Sequence, residues 1–148
     1  MNRIFLILIL FCLFSCKAQK GINIGSKIEQ NMKGNSKILI PSGALVNSVT
    51  YLYNNNYFTL GINNDNTLVY ISTVDPNFKI EGFKINDDIS KIYENSKVKY
   101  AIGWGYYIQI DSDWYAGFDI NSKPTKLSKI QWFFKYRFIE GNKNLFKN

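Results

Sequence analysis

The sequence predicts an α+β fold: two tandem helix-β-β-β repeats form one antiparallel sheet of about six strands, with the short helices on one face. Three observations lead there. Gly21-Ile22-Asn23-Ile24-Gly25-Ser26-Lys27-Ile28 aligns with Gly82-Phe83-Lys84-Ile85-Asn86-Asp87-Asp88-Ile89 at an offset of 61 residues. Apolar side chains then continue at three- and four-residue spacing, the stripe of a helix with one buried face. Beyond each such stripe come strand signals, which in the second copy alternate with period two.

The chain opens with Asn2 and Arg3, followed by Ile4 to Phe14 without a charged or amide side chain. Eleven apolar residues make a helix of ~16 Å, about half of a ~30 Å hydrocarbon core, so the run is too short to span. Its layout is that of a secretory signal peptide over residues 1–15. Leu13-Phe14-Ser15-Cys16 resembles the lipobox of bacterial lipoproteins, with Phe14 bulkier than that family usually has. The resemblance implies cleavage before Cys16, diacylglycerol on its sulfur and an acylated amine. The simpler alternative is an ordinary signal peptide with an incidental cysteine. Residues 16–20 are then anchor and linker. Lys17-Ala18-Gln19-Lys20 carries no acid, which favours an outer-membrane anchor facing the periplasm.

The first repeat is expected over 21–78. Gly25 tolerates positive φ and precedes Ser26, whose spacing to Glu29 is that of a capping box, so a helix is predicted at about 26–33 with Ile28 and Met32 inward. Lys37 to Pro41 reads either as an extra strand or as an extended linker. Val46 to Tyr53, Tyr57 to Ile62 and Thr67 to Val74 read as three strands, their alternation too broken to give a register.

The second repeat is expected over 79–140, with a helix at about 87–96 burying Ile89, Ile92 and Tyr93. Even positions from Val98 to Ile110 are all apolar or aromatic, which predicts one long strand. Asp111-Ser112-Asp113 turns the chain, and Trp114, Ala116, Phe118 and Ile120 return it. A further turn around Pro124 leads to a strand carrying Ile130, Trp132, Phe134, Tyr136 and Phe138. Turn lengths set Ile110 against Trp114, Ile108 against Ala116 and Tyr106 against Phe118. They also set Ile120 against Ser128, Phe118 against Ile130, Ala116 against Trp132 and Trp114 against Phe134. On the other face this register opposes Asp119 to Lys129, Asp113 to Lys135 and Tyr115 to Phe133. Residues 141–148 form a basic tail.

In unit order and in the repeated glycine-containing segment, the chain resembles the tandem-repeat fold of β-lactamase inhibitory protein. It also resembles the small outer-membrane lipoproteins of the β-barrel assembly machine, which use one such unit. The likeness spans roughly residues 21–138. The inhibitor's second helix and disulfide have no counterpart here, and no binding residue carries over.

Composition narrows the chemistry. There is no histidine, which removes Ser-His and Cys-His nucleophile pairs and His-based metal sites. Cys12 leaves with the signal and Cys16 takes lipid, so no thiol is left for a disulfide. Residues 16–120 are charge-balanced, whereas 121–148 hold seven cations against Glu140 alone. That asymmetry suits either an anionic envelope partner or a plain solvated tail; nucleic acid is out of reach of an exported chain.

The most suggestive surface is the predicted outer face of the second sheet half. Gly103, Gly105 and Gly117 leave backbone bare between Tyr107, Tyr115, Phe133, Gln109, Gln131 and Arg137, a composition suited to protein recognition. The plainer alternative is that another segment covers that face. Asp111, Asp113 and Asp119 read more simply as turn formers and ion-pair partners than as metal ligands. Glu81, Asp87 and Asp88 read as helix-start carboxylates. No cofactor, metal or enzymatic constellation is expected. The reading is a lipid-anchored, non-enzymatic binding module for another envelope protein, as inhibitor, immunity or assembly factor. The alternative is a binder of anionic lipid or glycolipid through Lys123, Lys126, Lys143 and Lys147, and an unrecognised hydrolase is a third.

Overall fold

The computed structural model describes residues 22–28, 34, 36–93 and 98–137. Eight strands make up one antiparallel sheet: β1 (Ser36–Leu39), β2 (Leu45–Tyr53), β3 (Asn56–Ile62), β4 (Leu68–Thr73), β5 (Lys99–Ala101), β6 (Gly105–Gln109), β7 (Tyr115–Phe118) and β8 (Trp132–Tyr136). Their order is β1-β2-β3-β4-β8-β7-β6-β5, so each half is a four-strand meander and the two meanders meet at β4 and β8. The sheet curls into a half-barrel.

This corrects the α+β expectation. The helix among the described residues is a single turn, α1 (Ser90–Tyr93). The segments predicted to cap helices spend their backbone on the sheet instead. Gly25 N–H donates to Leu68 O (2.8 Å), Leu68 N–H to Ser26 O (2.9 Å) and Ile28 N–H to Asn66 O (2.8 Å). In the second copy Asn86 N–H donates to Ile130 O (2.9 Å) and Ile130 N–H to Asp87 O (3.0 Å). A residue so bonded cannot begin a helical ladder. The Asp87 carboxylate reaches back to Lys84 N–H (3.0 Å), and Asp88 rather than Asp87 caps α1 through Ser90 N–H (3.1 Å). Glu29 and Met32 of the first predicted helix, and 94–96 of the second, lie outside the described residues.

The internal repeat itself is structural. Lys27 bridges Thr67 as Asp88 bridges Lys129, and both Gly25 (φ 92) and Asn86 (φ 70) take the left-handed conformation ahead of the bridge.

Two strands raise the count above six. Ser36–Leu39 settles the 37–41 ambiguity as a strand on the edge of β2. The stretch 98–110 is a hairpin rather than one strand, because Gly103 (φ 73) and Gly105 (φ 129) turn the chain between β5 and β6. A three-residue loop preserves side-chain parity, so the period-two pattern passed through the turn unbroken. In the first half, Asn54 and Asn55 (φ 47 and 61) form the two-residue turn that pairs Tyr53 with Asn56. Positive φ at both positions is what a type I′ turn needs, and Asn supplies it.

The predicted β6–β7 register holds: Tyr106 opposes Phe118, Ile108 opposes Ala116, and Ile110 N–H donates to Trp114 O (2.9 Å). The β7–β8 register is shifted by one residue, with Tyr115 opposite Phe134, Ala116 opposite Phe133 and Gly117 opposite Trp132. Ile130 is the cause. Its backbone is taken by Asn86 and Asp87, while Ser128 closes its own turn with Thr125, so the hairpin pairs expected at Ile120–Ser128 and Phe118–Ile130 do not form. The predicted charge pairs dissolve with them. Lys129 meets Asp88 at 3.8 Å, Asp119 accepts from Asn121, and Lys135 lies over Trp114.

One residue of slip exchanges the faces of a strand. The inner face gathers Tyr70, Tyr107 and Phe134 with Ile40 and Val46, flanked by Trp104, Tyr115, Trp132 and Tyr136. The outer face is covered by two pads. Ile22, Ile24 and Ile28 pack over Phe58, Leu60 and Ile71, while Phe83 and Ile89 pack over Ile108, Ala116 and Phe133. Phe78 and Trp114 touch both. Both faces are therefore apolar over most of their area, and each fully buried large side chain contributes ~1.5–3 kcal/mol.

Candidate binding surface

The six residues predicted to share a recognition face do not share one. Phe133 is fully buried on the outer face beneath Phe78, at 5.9 Å between ring centroids. Tyr107 is buried on the inner face against Phe134 (5.6 Å) and Trp104 (5.8 Å). Tyr115, half-buried beside it, stacks on Phe134 at 5.2 Å and carries the Lys99 ammonium 5.5 Å above its ring. Gln109 spends its amide on the turn carbonyls of Asp111 (2.7 Å) and Ser112 (3.4 Å). Gln131 and Arg137 are exposed, with backbone N–H groups bonded to Gly117 O and Val69 O. Gly117 is not bare backbone. A Cβ placed there would stand 2.1–2.6 Å from the Trp132 indole, which lies across it.

The aspartates act as turn formers. Asp111 Oδ1 accepts from Asp113 and Trp114 N–H (2.7 Å each), and Asp119 Oδ1 accepts from Asn121. Lys123 and Lys126 are exposed on the β7–β8 connection; Cys16, Phe138, Lys143 and Lys147 lie outside the described residues. Among the described residues no three His, Cys, Asp or Glu side chains come together as a metal site.

A different set of residues stands exposed in the sheet. Leu52 on β2 directly opposes Tyr57 on β3, and the two are 54 % and 61 % exposed. Continuing the Thr59–Ser72 register by two residues sets Val74, 69 % exposed, on the far side of Tyr57. Continuing Ser72–Phe134 likewise brings Val74 beside Trp132. Cross-strand partners share a face, so Leu52, Tyr57, Val74 and Trp132 form one row at the open end of the inner face.

Tyr57 is held firmly at its backbone. Its N–H donates to Asp75 Oδ2 (3.1 Å), its carbonyl accepts from Thr73 Oγ1 (2.7 Å), and Asp75 N–H donates back to Thr73 Oγ1 (3.0 Å). Amides of Asn77 and Tyr57 hold the Asp75 carboxyl below its usual value, so the clamp is ionised at neutral pH. An aromatic ring presented from a fixed backbone loses little freedom on contact. A sign of this row lay in the sequence: Leu52 sits between Tyr51 and Tyr53, out of phase with a strand that has one apolar face.

No family model, curated protein or solved structure matches the chain.

Proposed function

We propose that this protein is a lipid-anchored, non-enzymatic binding module of the bacterial cell envelope, facing the periplasm, and that it holds another envelope protein against the Leu52–Tyr57–Val74 row. The row is the observation that carries the reading. Three large apolar side chains stand in neighbouring positions and more than half exposed, where a closed core would have covered them. Aromatic anchors with small polar neighbours such as Thr50 and Thr59 have the composition of an interface centre. The resemblance of Leu13-Phe14-Ser15-Cys16 to a lipobox supports the anchor. An inhibitor, an immunity protein or an assembly factor would each use such a surface.

The test is site-specific photocrosslinking in intact cells. A photoreactive residue at Tyr57 should trap a discrete protein adduct that the same residue at Lys123 does not. Adducts to lipid at Lys123 or Lys143, lost in high salt, with none at Tyr57, would instead favour the anionic-lipid reading through Lys123, Lys126, Lys143 and Lys147.

A further inference from the structure

On the opposite, outer face a hollow of about 200 Å³ opens where Ile22, the β2–β3 turn and Phe78 meet. Its walls are aromatic: Tyr53, Phe58, Phe78 and Trp114, with Phe78 packed edge-on to Phe58 (5.4 Å) and tilted against Trp114 (5.1 Å). Asn54, Asn56 and Lys135 interrupt this lining, and the last two carry groups a ligand could use. Asn56 donates through Nδ2 to Asn54 O (2.8 Å), but its buried Oδ1 has no donor among the described residues. A buried carbonyl oxygen is ordinarily paired, so this one is an acceptor in want of a donor.

Lys135 is the second. It occupies a row, Leu60–Ile71–Lys135–Trp114, that is otherwise apolar, and its ammonium lies 5.2 Å from the Trp114 ring centroid. It also lines a neighbouring cleft of about 330 Å³ that holds Arg137, Tyr115 and Tyr136, with Asp113 as the one carboxylate. Lys135 therefore stands at the boundary between an aromatic hollow and a cleft with two cations and one anion.

We propose that the hollow binds a small amphiphilic monoanion: a flat apolar body between the rings, an N–H or O–H donor for Asn56, and a carboxylate held by Lys135 with Arg137 beyond it. An apolar concavity with a few convergent polar groups is the usual form of a small-molecule site. The single net positive charge of the cleft suits one negative charge rather than two. Asn56 lines the hollow with its Oδ1 buried, so a ligand donor meets it once the carboxamide turns and gives up its bond to Asn54 O. A ring fills the space that Phe78 and Trp114 leave open, and Lys135 exchanges a cation–π contact for a charge-assisted one.

Calorimetric titration of the mature chain with three matched probes tests each part. Indole-3-acetate supplies ring, donor and carboxylate; 3-methylindole lacks the carboxylate; 1-methylindole-3-acetate lacks the donor. Indole-3-acetate is expected to bind one to one, and each of the others at least tenfold more weakly. Lys135→Met should weaken indole-3-acetate tenfold or more while leaving 3-methylindole unchanged, with Lys135→Arg restoring most of the loss. Ile22→Trp, which fills the hollow from one of its walls, should abolish binding of all three with the near-ultraviolet circular dichroism of the remaining aromatics intact. Absence of heat with every probe, equal affinity for all three, or binding that ignores Lys135→Met and Ile22→Trp would each overturn the proposal. The crosslinking at Tyr57 reads the other face of the sheet, so neither experiment's failure stands in for the other's.

Discussion

Ser72 and Phe134 lie directly opposite one another at the β4–β8 seam, and each is the other's counterpart in the two repeats. Leu68 and Ile130 are the equivalent residues: each accepts from Gly25 or Asn86 N–H and donates to Ser26 or Asp87 O, and four residues farther along each strand come Ser72 and Phe134. An antiparallel pair of equivalent positions marks a local two-fold axis. The small side chain on one side leaves room for Phe134, which stacks on Tyr70 (6.2 Å) and Tyr115 (5.2 Å), one ring from each half.

The halves are therefore expected to depend on each other. Residues 21–78 and 79–148 expressed separately should be unfolded or aggregate, since each would expose the seam strand and lose half of the inner core. The whole chain should melt in one transition. Phe134→Ala should cost ~3–5 kcal/mol by denaturant titration without splitting that transition. Two soluble, cooperatively folded halves would contradict the shared core.

Gly117→Ala probes the shifted register. The added methyl collides with the Trp132 indole, and the ring must swing off the strand. A loss of ~1–3 kcal/mol and a red-shifted tryptophan emission are expected. In the unshifted register position 117 would be free of that ring, and the substitution would pass almost unnoticed.

Stability and recognition should separate by residue. Leu52→Ala, Tyr57→Ala and Val74→Ala should each change stability by no more than ~0.5 kcal/mol, as exposed positions do. At least one should weaken partner binding by ~2 kcal/mol, about thirtyfold. Tyr107→Ala and Phe133→Ala should instead lower stability by ~3–5 kcal/mol, and lose binding only through unfolding.

Alkaline unfolding should be steep. Burial pushes the Tyr70 phenol up to about 12, against a smaller opposing effect of its Ser72 hydrogen bond. Burial and a hydrogen bond with Tyr107 raise Tyr136 as well. A folded-state pKa above the unfolded value of ~10 means stability that is intact below pH ~10 and drains away as pH rises through about 12. Tyr70→Phe should remove on the order of 2 kcal/mol of that fall between the two pH values, in unfolding curves measured every half unit.

The anchor is checked by mass and by fractionation. The mature chain should begin at an acylated Cys16, and Cys16→Ala should release it from membranes, because acyl chains contribute ~0.8 kcal/mol per buried methylene. A mature mass without lipid would remove the anchor from the proposal.

What the sequence disclosed was local. The β6–β7 register follows from Asp111-Ser112-Asp113 and the flanking alternation, both contained within fifteen residues. The one-residue shift at β8 was hidden because it depends on Asn86 and Asp87 claiming Ile130, a competition between segments more than forty residues apart. Ser26 and Asp87 are chemically suited to cap a helix, yet the same short polar side chains serve turns and bridges equally well, and tertiary pairing decided between them. The predicted recognition face fails for the same reason: the shift puts Phe133 on the outer face and lays Trp132 across Gly117. Tyr57 falls within a predicted strand, but its exposure depends on how far the aromatic cluster of Tyr70, Tyr107 and Phe134 extends over the inner face.

The curl of the sheet has a consequence for the membrane anchoring proposed above. Anchored molecules are confined to two dimensions, where collisions are frequent and an open strand on one copy readily meets an open strand on the next. Here the two margins of the sheet among the described residues, β1 and β5, approach each other, close enough that a Cβ on Gly103 would lie 3.7 Å from Leu39. Lys37 and Lys99 sit on those margins. A neighbour's strand would have to enter between two closely approaching edges, each bearing a lysine, so dense arrays of this protein are expected to stay dispersed.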